Sequence, residues 1–190
     1  MQAIVAVSNN WGIGKDNELL FHIRADLQRF KELTTGHTVV MGRKTLQSLP
    51  GQKGLPGRRN IVLTHNPDFT APDVETVCNP LQAVFACGLE DFCIGGESVY
   101  RALLPACDRV YVTKVLADAE ADAFFPDLDD DPRWQVEHCS EVMEENGTRF
   151  QFVEYVACEE DNSILPDSSE VSTGPTPFVP PADFTSYHGF

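Results

Sequence analysis

Positive charge is scarce in this sequence: 14 Lys and Arg stand against 29 Asp and Glu, a formal net charge of −15. Such a chain is not built to coat nucleic acid or anionic lipid, because both demand a cationic surface. No apolar run comes near the roughly 18–20 residues a helix needs to cross a membrane. Met1-Gln2-Ala3-Ile4-Val5 sets no basic residue ahead of its apolar stretch, so no secretory leader is expected and the protein is expected in the cytoplasm. The six cysteines (Cys78, Cys87, Cys93, Cys107, Cys139, Cys158) include no CxxC pair, and the five histidines are isolated from one another. Neither a disulfide framework nor a metal centre is expected, and most of the cysteines read as small core residues.

Several catalytic signatures are missing too. Without a G-x-S-x-G elbow, no Ser/His/Asp hydrolase can be argued. Gly12-Ile13-Gly14 runs on to Asn17 rather than to a third glycine, which excludes the dinucleotide-binding fingerprint. Five residues, not four, separate Gly36 from Gly42, and Arg43 intervenes before Lys44-Thr45, so this is not a P-loop. There is no internal repeat.

What remains is enough for one packed domain: 190 residues, 42% of them hydrophobic. The segment 159–190 reads differently, with six acids, no Lys or Arg, five prolines and eight Ser or Thr. It is expected to be an acidic, Pro-rich tail, either disordered or docked on a surface through Phe178, Phe184, Tyr187 and Phe190, with the domain occupying 1–158. Within the domain, β-branched runs predict strands over 3–8, 38–41, 60–64, 91–94 and 109–115, several apolar on both faces as in a covered sheet. A closing hairpin is expected from 134–138 and 150–157, with Asn146-Gly147 as turn signal between them. Helices fit 25–34, 44–49, 80–86 and 98–104. The order is that of an α/β domain with an antiparallel end.

Five features could carry chemistry. Residues 33–67 hold five cations (Arg43, Lys44, Lys53, Arg58, Arg59) and no acid, which fits either a pocket for a small anion or a solvated basic face. Asp26 lies on the apolar side of its helix, in line with Phe30 and Leu33; it is either a buried carboxylate that meets a ligand or the helix's own N-terminal cap. Gly95-Gly96 ends a buried strand before a helix, which suits a ligand approaching the backbone or simply a tight turn. Met41-Gly42-Arg43-Lys44-Thr45 sets two cations and a hydroxyl at a helix start, suited to a diphosphate, and the next strand ends in Leu63-Thr64-His65 with another donor pair. Asp129-Asp130-Asp131 reads as a solvated loop, with a cation site as the other reading.

Taken together these blocks resemble dihydrofolate reductase. The resemblance is carried by the run from Ile4 to Gly14, Ala25-Asp26-Leu27 with Phe30-Lys31, Val40 to Thr45, Leu55 to Asn60, Ile94-Gly95-Gly96, Val99-Tyr100 and Tyr111-Val112-Thr113, in order over residues 1–157. It implies a single domain with a central, mostly parallel eight-stranded sheet, a C-terminal antiparallel hairpin and about four flanking helices. It also implies NADPH-dependent reduction of 7,8-dihydrofolate to tetrahydrofolate, in support of one-carbon and thymidylate metabolism, by a monomer of a family that is an antifolate target.

By that resemblance Asp26 would orient the pterin, supported by Thr113, with Phe21 nearby and with Ile4 and Ile94 offering backbone carbonyls to the ring. Leu27, Phe30 and Leu49 would enclose the apolar body of the substrate, Arg58 would clamp its glutamate carboxylate, and Lys31 would stand at the rim. On the cofactor side Ala6 and Ile13 would meet the carboxamide, and Gly95, Gly96 and Tyr100 would line the nicotinamide. Arg43, Lys44 and Thr45 would hold phosphates, and Thr64 with His65 the 2′-phosphate. Gly14, Leu19, Gly42, Leu63, Ile94, Glu97, Ser98 and Val99 complete the cofactor set.

Three positions depart from the family pattern. Phe21 stands where Trp is usual and lacks the indole donor that helps hold a water. Arg24 replaces the usual Pro before Ala25-Asp26, which is expected to loosen the start of the helix, and Ala121 replaces a Gly found in some members. These departures predict slower or differently gated turnover. Two rival readings share the same residues: a same-fold reductase of another pteridine or of a ribosylamino-pyrimidine, and a non-catalytic folate- or NADPH-binding assembly protein.

Overall fold

Runs of β-branched and apolar residues become strands where the pattern is strongest. In the computed structural model, which describes Met1–Cys158, β1 spans Gln2–Val7, β4 Thr38–Gly42, β5 Arg59–Leu63, β7 Phe92–Cys93, β8 Arg109–Val115, β10 Trp134–Cys139 and β12 Thr148–Ala157. Each lies within a residue or two of its expected bounds. The acidic segment 159–190, and with it the expected tail, lies outside the described residues.

Five short strands had no readable periodicity: β2 (Gly12–Lys15), β3 (Glu18–Leu19), β6 (Glu75–Val77), β9 (Ala123–Phe124) and β11 (Met143–Glu145). Four helices complete the domain: α1 (Arg24–Thr34), α2 (Arg43–Ser48), α3 (Pro80–Phe85) and α4 (Glu97–Leu103).

The main sheet runs β10-β12-β8-β1-β7-β4-β5-β6, with β11 as a short ninth strand on β12. From β8 to β6 every pairing is parallel, whereas β12 pairs antiparallel with β8 on one side and with β10 and β11 on the other. Asn146-Gly147 does make a tight turn, with positive φ at both residues, but it joins β11 to β12 rather than β10 to β12. A second sheet, β3-β2-β9, carries the loop that follows β1.

Side chains along the parallel strands sort by face. Ala3, Val5 and Val7 of β1 and Val40 of β4 join Ala83 of α3 and Val99, Tyr100 and Leu103 of α4 in one core. Ile4, Val39 and Met41 point the other way and join Phe30 and Leu33 of α1 and Leu46 of α2 in a second core. The sheet is thus covered on both faces, which is why its strands read as continuous apolar runs. In a covered parallel sheet the ligand crevice lies at the carboxyl ends of the strands. Here Gly42 and Leu63 end their strands, Ile94 lies just beyond one, and Ala6 and Thr113 lie within the last three residues of theirs.

Candidate active site

Two cavities meet at that edge. The larger, about 1010 Å³, runs past Gly42, Arg43, Lys44 and Thr45, then Leu63, Thr64 and His65, and on to Glu97, Ser98 and Val99. The smaller, about 140 Å³, is walled by Ala6, Ile13, Gly14, Leu19, Ile94, Gly95 and Tyr100. Thr45 and Gly96 line both. Every residue that the resemblance put in the cofactor set therefore borders this linked space.

The backbone here leaves no room for side chains. Gly95 has φ +107°, and a Cβ on it would lie 2.9 Å from the Tyr100 ring. A Cβ on Gly42 would meet Val99 at 3.1 Å, and one on Gly96 would meet the Thr45 hydroxyl at 3.3 Å. The Gly42 N–H donates to the Gly95 carbonyl at 2.7 Å, tying the ends of β4 and β7 together. The buried Tyr100 hydroxyl donates to the Ile4 carbonyl at 2.7 Å, and burial pushes its pKa well above the ordinary phenol value. That bond occupies one acceptor position of the carbonyl that the resemblance offers to the pterin.

The basic stretch is divided between structure and cleft. Arg59 is committed to Glu75 and to the Ala86 carbonyl. Arg43 and Lys44 are exposed at the start of α2, and among the described residues neither pairs with a carboxylate. Thr64 is buried and its hydroxyl accepts the Asn66 N–H, while His65 beside it is exposed.

Asp26 is not the cap of its own helix. The helix cap position is Ile23, which offers no side-chain cap, and the Asp26 carboxylate does not fold back to fill it. It instead accepts the Thr113 hydroxyl at 2.6 Å. Burial raises its pKa above the usual carboxylate value, opposed by that hydrogen bond and by the charge of Arg29. Thr113 is the β8 partner of Ala6 on β1, so the carboxylate stands beside the small cavity's wall.

Around Asp26 lies an apolar shelf. Phe30, Leu49 and Ile94, all half-buried, pack on the core of Ile4, Met41 and Leu46. Leu27, on the same helix, is 45% exposed, an apolar side chain left open where a ligand would cover it. Lys31 is exposed. Arg58 donates from Nε to the Thr34 hydroxyl at 2.8 Å and from Nη1 to the Pro56 carbonyl at 2.7 Å, with its guanidinium 5.6 Å from the Phe30 ring centre. Among the described residues it has no acidic partner, and burial lowers its pKa, so a carboxylate ligand would relieve a desolvated charge. Phe21 packs with Ile23, Val115 and Phe150 beneath the start of α1.

Sequence reasoning missed Asp122, which fastens the loop after β1 across the cavities. The Asp122 carboxylate accepts the Asp16 N–H at 2.9 Å, and its own N–H donates to the Gly14 carbonyl. The Glu97 carboxylate accepts the Phe124 N–H at 3.0 Å as well as Arg101. Ala121, one of the departures, fills the space beside Gly12, where a Cβ on that glycine would fall only 2.6 Å away. Asn17, Asp122 and Ala123 line both cavities. Asp16 and Asp122 lie 106 positions apart along the chain, and no local pattern joins them.

A covered, mostly parallel sheet, a two-chambered cleft at its carboxyl edge and one half-buried carboxylate beside it define an α/β domain with room for two ligands side by side. Comparison with known proteins names the family. The dihydrofolate reductase family model matches residues 1–157. The chain is 39% identical over 155 residues to dihydrofolate reductase of Neisseria meningitidis serogroup B, covering 80% of this chain and 95% of that protein. It is also 39% identical to the Bacillus subtilis enzyme over 148 residues, 77% of this chain and 83% of the relative. A solved structure of Enterococcus faecalis dihydrofolate reductase, complexed with NADP(H) and RAB-propyl, superposes with a TM-score of 0.74 at 32% identity, covering 83% of this chain and 96% of that one. The chain belongs to the dihydrofolate reductase family.

Proposed function

We propose that the two cavities and the Asp26 pocket divide between them the work of reducing 7,8-dihydrofolate to tetrahydrofolate. The reaction itself follows from family membership: the chain is an NADPH-dependent oxidoreductase acting on dihydrofolate. NADPH, when bound, supplies the hydride.

The cleft suits an anionic dinucleotide on two independent counts. Gly42, Gly95 and Gly96 let a ligand reach the backbone, and any Cβ there would meet Val99, Tyr100 or Thr45. Arg43 and Lys44 offer cations without carboxylate partners among the described residues. In this reading Ala6, Ile13, Gly14, Leu19, Ile94, Gly95, Gly96 and Tyr100 enclose the nicotinamide. Arg43, Lys44 and Thr45 take the diphosphate, beside Gly42, Glu97, Ser98 and Val99, while Leu63, Thr64 and His65 receive the 2′-phosphate.

Asp26 accepts hydrogen bonds from the 2-amino group and a ring N–H of the pterin, and Thr113 fixes its rotamer. An anionic Asp26 close to the ring also raises the ring's affinity for a proton, so that water can protonate N5 as the hydride reaches C6. Ile4 and Ile94 give carbonyls to the ring edge. Leu27, Phe30 and Leu49 cover the apolar body, Arg58 takes the glutamate carboxylate, and Lys31 adds charge at the rim. Phe21 supplies bulk without an indole donor, which slows placement of the water. The residues given roles here all belong to one chain, which is compatible with a monomer in the cytoplasm.

The observation that carries the assignment of Asp26 is its hydrogen bond with Thr113, the strand partner of Ala6 on the small cavity's wall. NADPH consumption with dihydrofolate, followed for the full chain and for Asp26→Asn, tests it. The substitution should lower kcat/KM at least about 100-fold while NADPH affinity stays within about twofold. Undiminished turnover by Asp26→Asn would overturn the assignment.

A further inference from the structure

The first turn of a helix leaves its N–H groups without intrahelical acceptors, and a Ser, Thr, Asp or Asn at the cap normally supplies one. Helix α1, which carries Asp26, Leu27 and Phe30, has Ile23 at its cap and no side-chain cap bond. Asp26, three residues on, is turned to Thr113 and cannot serve. The acceptor comes from the far end of the chain. Glu145, at the end of β11 and paired with Thr148 across the Asn146-Gly147 turn, accepts the Arg24 N–H at 2.7 Å on one carboxylate oxygen and the Ala25 N–H at 3.2 Å on the other. Beneath this contact Ile23, Ala25, Met143 and Phe150 share one small core, so the hairpin and the start of the helix form a single unit.

We propose that Glu145 is a positioning residue for the reaction: its two-oxygen cap sets the axial placement of α1 and so holds Asp26 against Thr113 at the cleft. The expected loosening at Arg24 is thereby reversed. A proline there would have no N–H to give, whereas Arg24 supplies the shorter of the two bonds and ties the helix start to the hairpin. A negative charge at this end of a helix is favoured in its own right, which adds to the hold. The inference rests on the role given to Asp26 above.

Steady-state kinetics on the full chain test it, using Glu145→Ala, Glu145→Gln, Arg24→Pro and the Arg24→Pro, Glu145→Ala pair. Proline suits the first helical position, and Ile23 before it already has the extended backbone (φ −104°, ψ 119°) that proline demands, so Arg24→Pro deletes the donor without breaking the helix. Glu145→Ala should lower kcat/KM for dihydrofolate by about tenfold and leave KM for NADPH within about twofold, and Glu145→Gln, which keeps an acceptor, should recover part of the loss. In the Arg24→Pro background the same truncation should cost only about threefold, since one of the two bonds is already gone. Amide exchange at Ala25 should quicken in Glu145→Ala even where the melting temperature is unchanged.

An equal loss in both backgrounds, or a KM for NADPH that rises in step with that for dihydrofolate, overturns the positioning role. So does unaltered exchange at Ala25. Asp26→Asn, run alongside, separates the two ideas. An active Asp26→Asn removes the site reading itself, whereas an inactive one beside a normal Glu145→Ala removes only the role of Glu145.

Discussion

Thr113 donates its hydroxyl hydrogen to Asp26 at 2.6 Å while standing opposite Ala6 in the β1–β8 register, so one threonine joins the acidic residue on α1 to the wall of the small cavity. The threonine is buried and the carboxylate half-buried. Valine keeps the shape of threonine but removes the donor.

Thr113→Val should therefore act twice on Asp26. Loss of a hydrogen bond to the charged form raises a pKa that burial has already raised, so the carboxyl stays protonated to higher pH. The acid limb of the kcat/KM profile should move to higher pH, and kcat/KM at neutral pH should fall by about tenfold, the usual cost of a buried oxygen left without its donor. A pH-rate series on parent and variant checks both. An acid limb that stays in place or moves down would show that the threonine only packs.

Arg58 makes a different kind of prediction. Thr34, Pro56 and the Phe30 ring hold the guanidinium in place but leave part of its donor fork without a partner among the described residues. Arg58→Lys keeps the charge and loses the fork. KM for dihydrofolate should rise by about tenfold with a smaller change in kcat, because the glutamate carboxylate is bound equally in ground and transition states. A dihydropterin without the glutamate should be reduced by parent and variant alike. Equal impairment on both substrates would move Arg58 from substrate recognition to support of the Phe30 shelf.

The parts of this protein that could be read from sequence are those built from neighbours along the chain. Ala3, Val5 and Val7 alternate with Ile4 because the sheet is covered on both faces, and that pattern marks a strand on its own. The lining of the cleft was legible for a related reason: Gly42-Arg43-Lys44-Thr45 and Gly95-Gly96 each sit at the end of one strand and the start of one helix. The short strands were not, since Glu18–Leu19 and Ala123–Phe124 have two residues each and exist only through pairing with Gly12–Lys15. Nor were Asp122 on the Asp16 N–H or Glu145 on α1, because a carboxylate capping a backbone 106 or 121 positions away leaves no periodicity to detect. The two readings of Asp26 could be separated only by seeing Thr113 beside it, on a strand 87 positions further on.

The raised pKa of Asp26 also bears on stability, and the sign can be worked out. Below the ordinary carboxylate range the group is protonated in both folded and unfolded chains, and its burial carries no penalty. As pH rises through that range the unfolded chain releases the proton first, while the folded chain retains it until the higher folded pKa is reached. Over that interval the folded state binds more protons, so stability falls with rising pH, and above it the loss stays constant. Asp26→Asn is neutral throughout and its carbonyl can still accept the Thr113 hydroxyl. The ligand-free variant should therefore melt a few degrees higher than the parent at neutral pH even as its turnover collapses, the exchange of stability for activity expected of a buried functional charge. The advantage should shrink as pH is lowered through the interval and vanish below the ordinary carboxylate range. Melting curves of parent and Asp26→Asn across acid and neutral pH measure it; a variant that melts lower at neutral pH would mean that Arg29 and Thr113 more than compensate the buried charge, and that Asp26 stabilises the fold it serves.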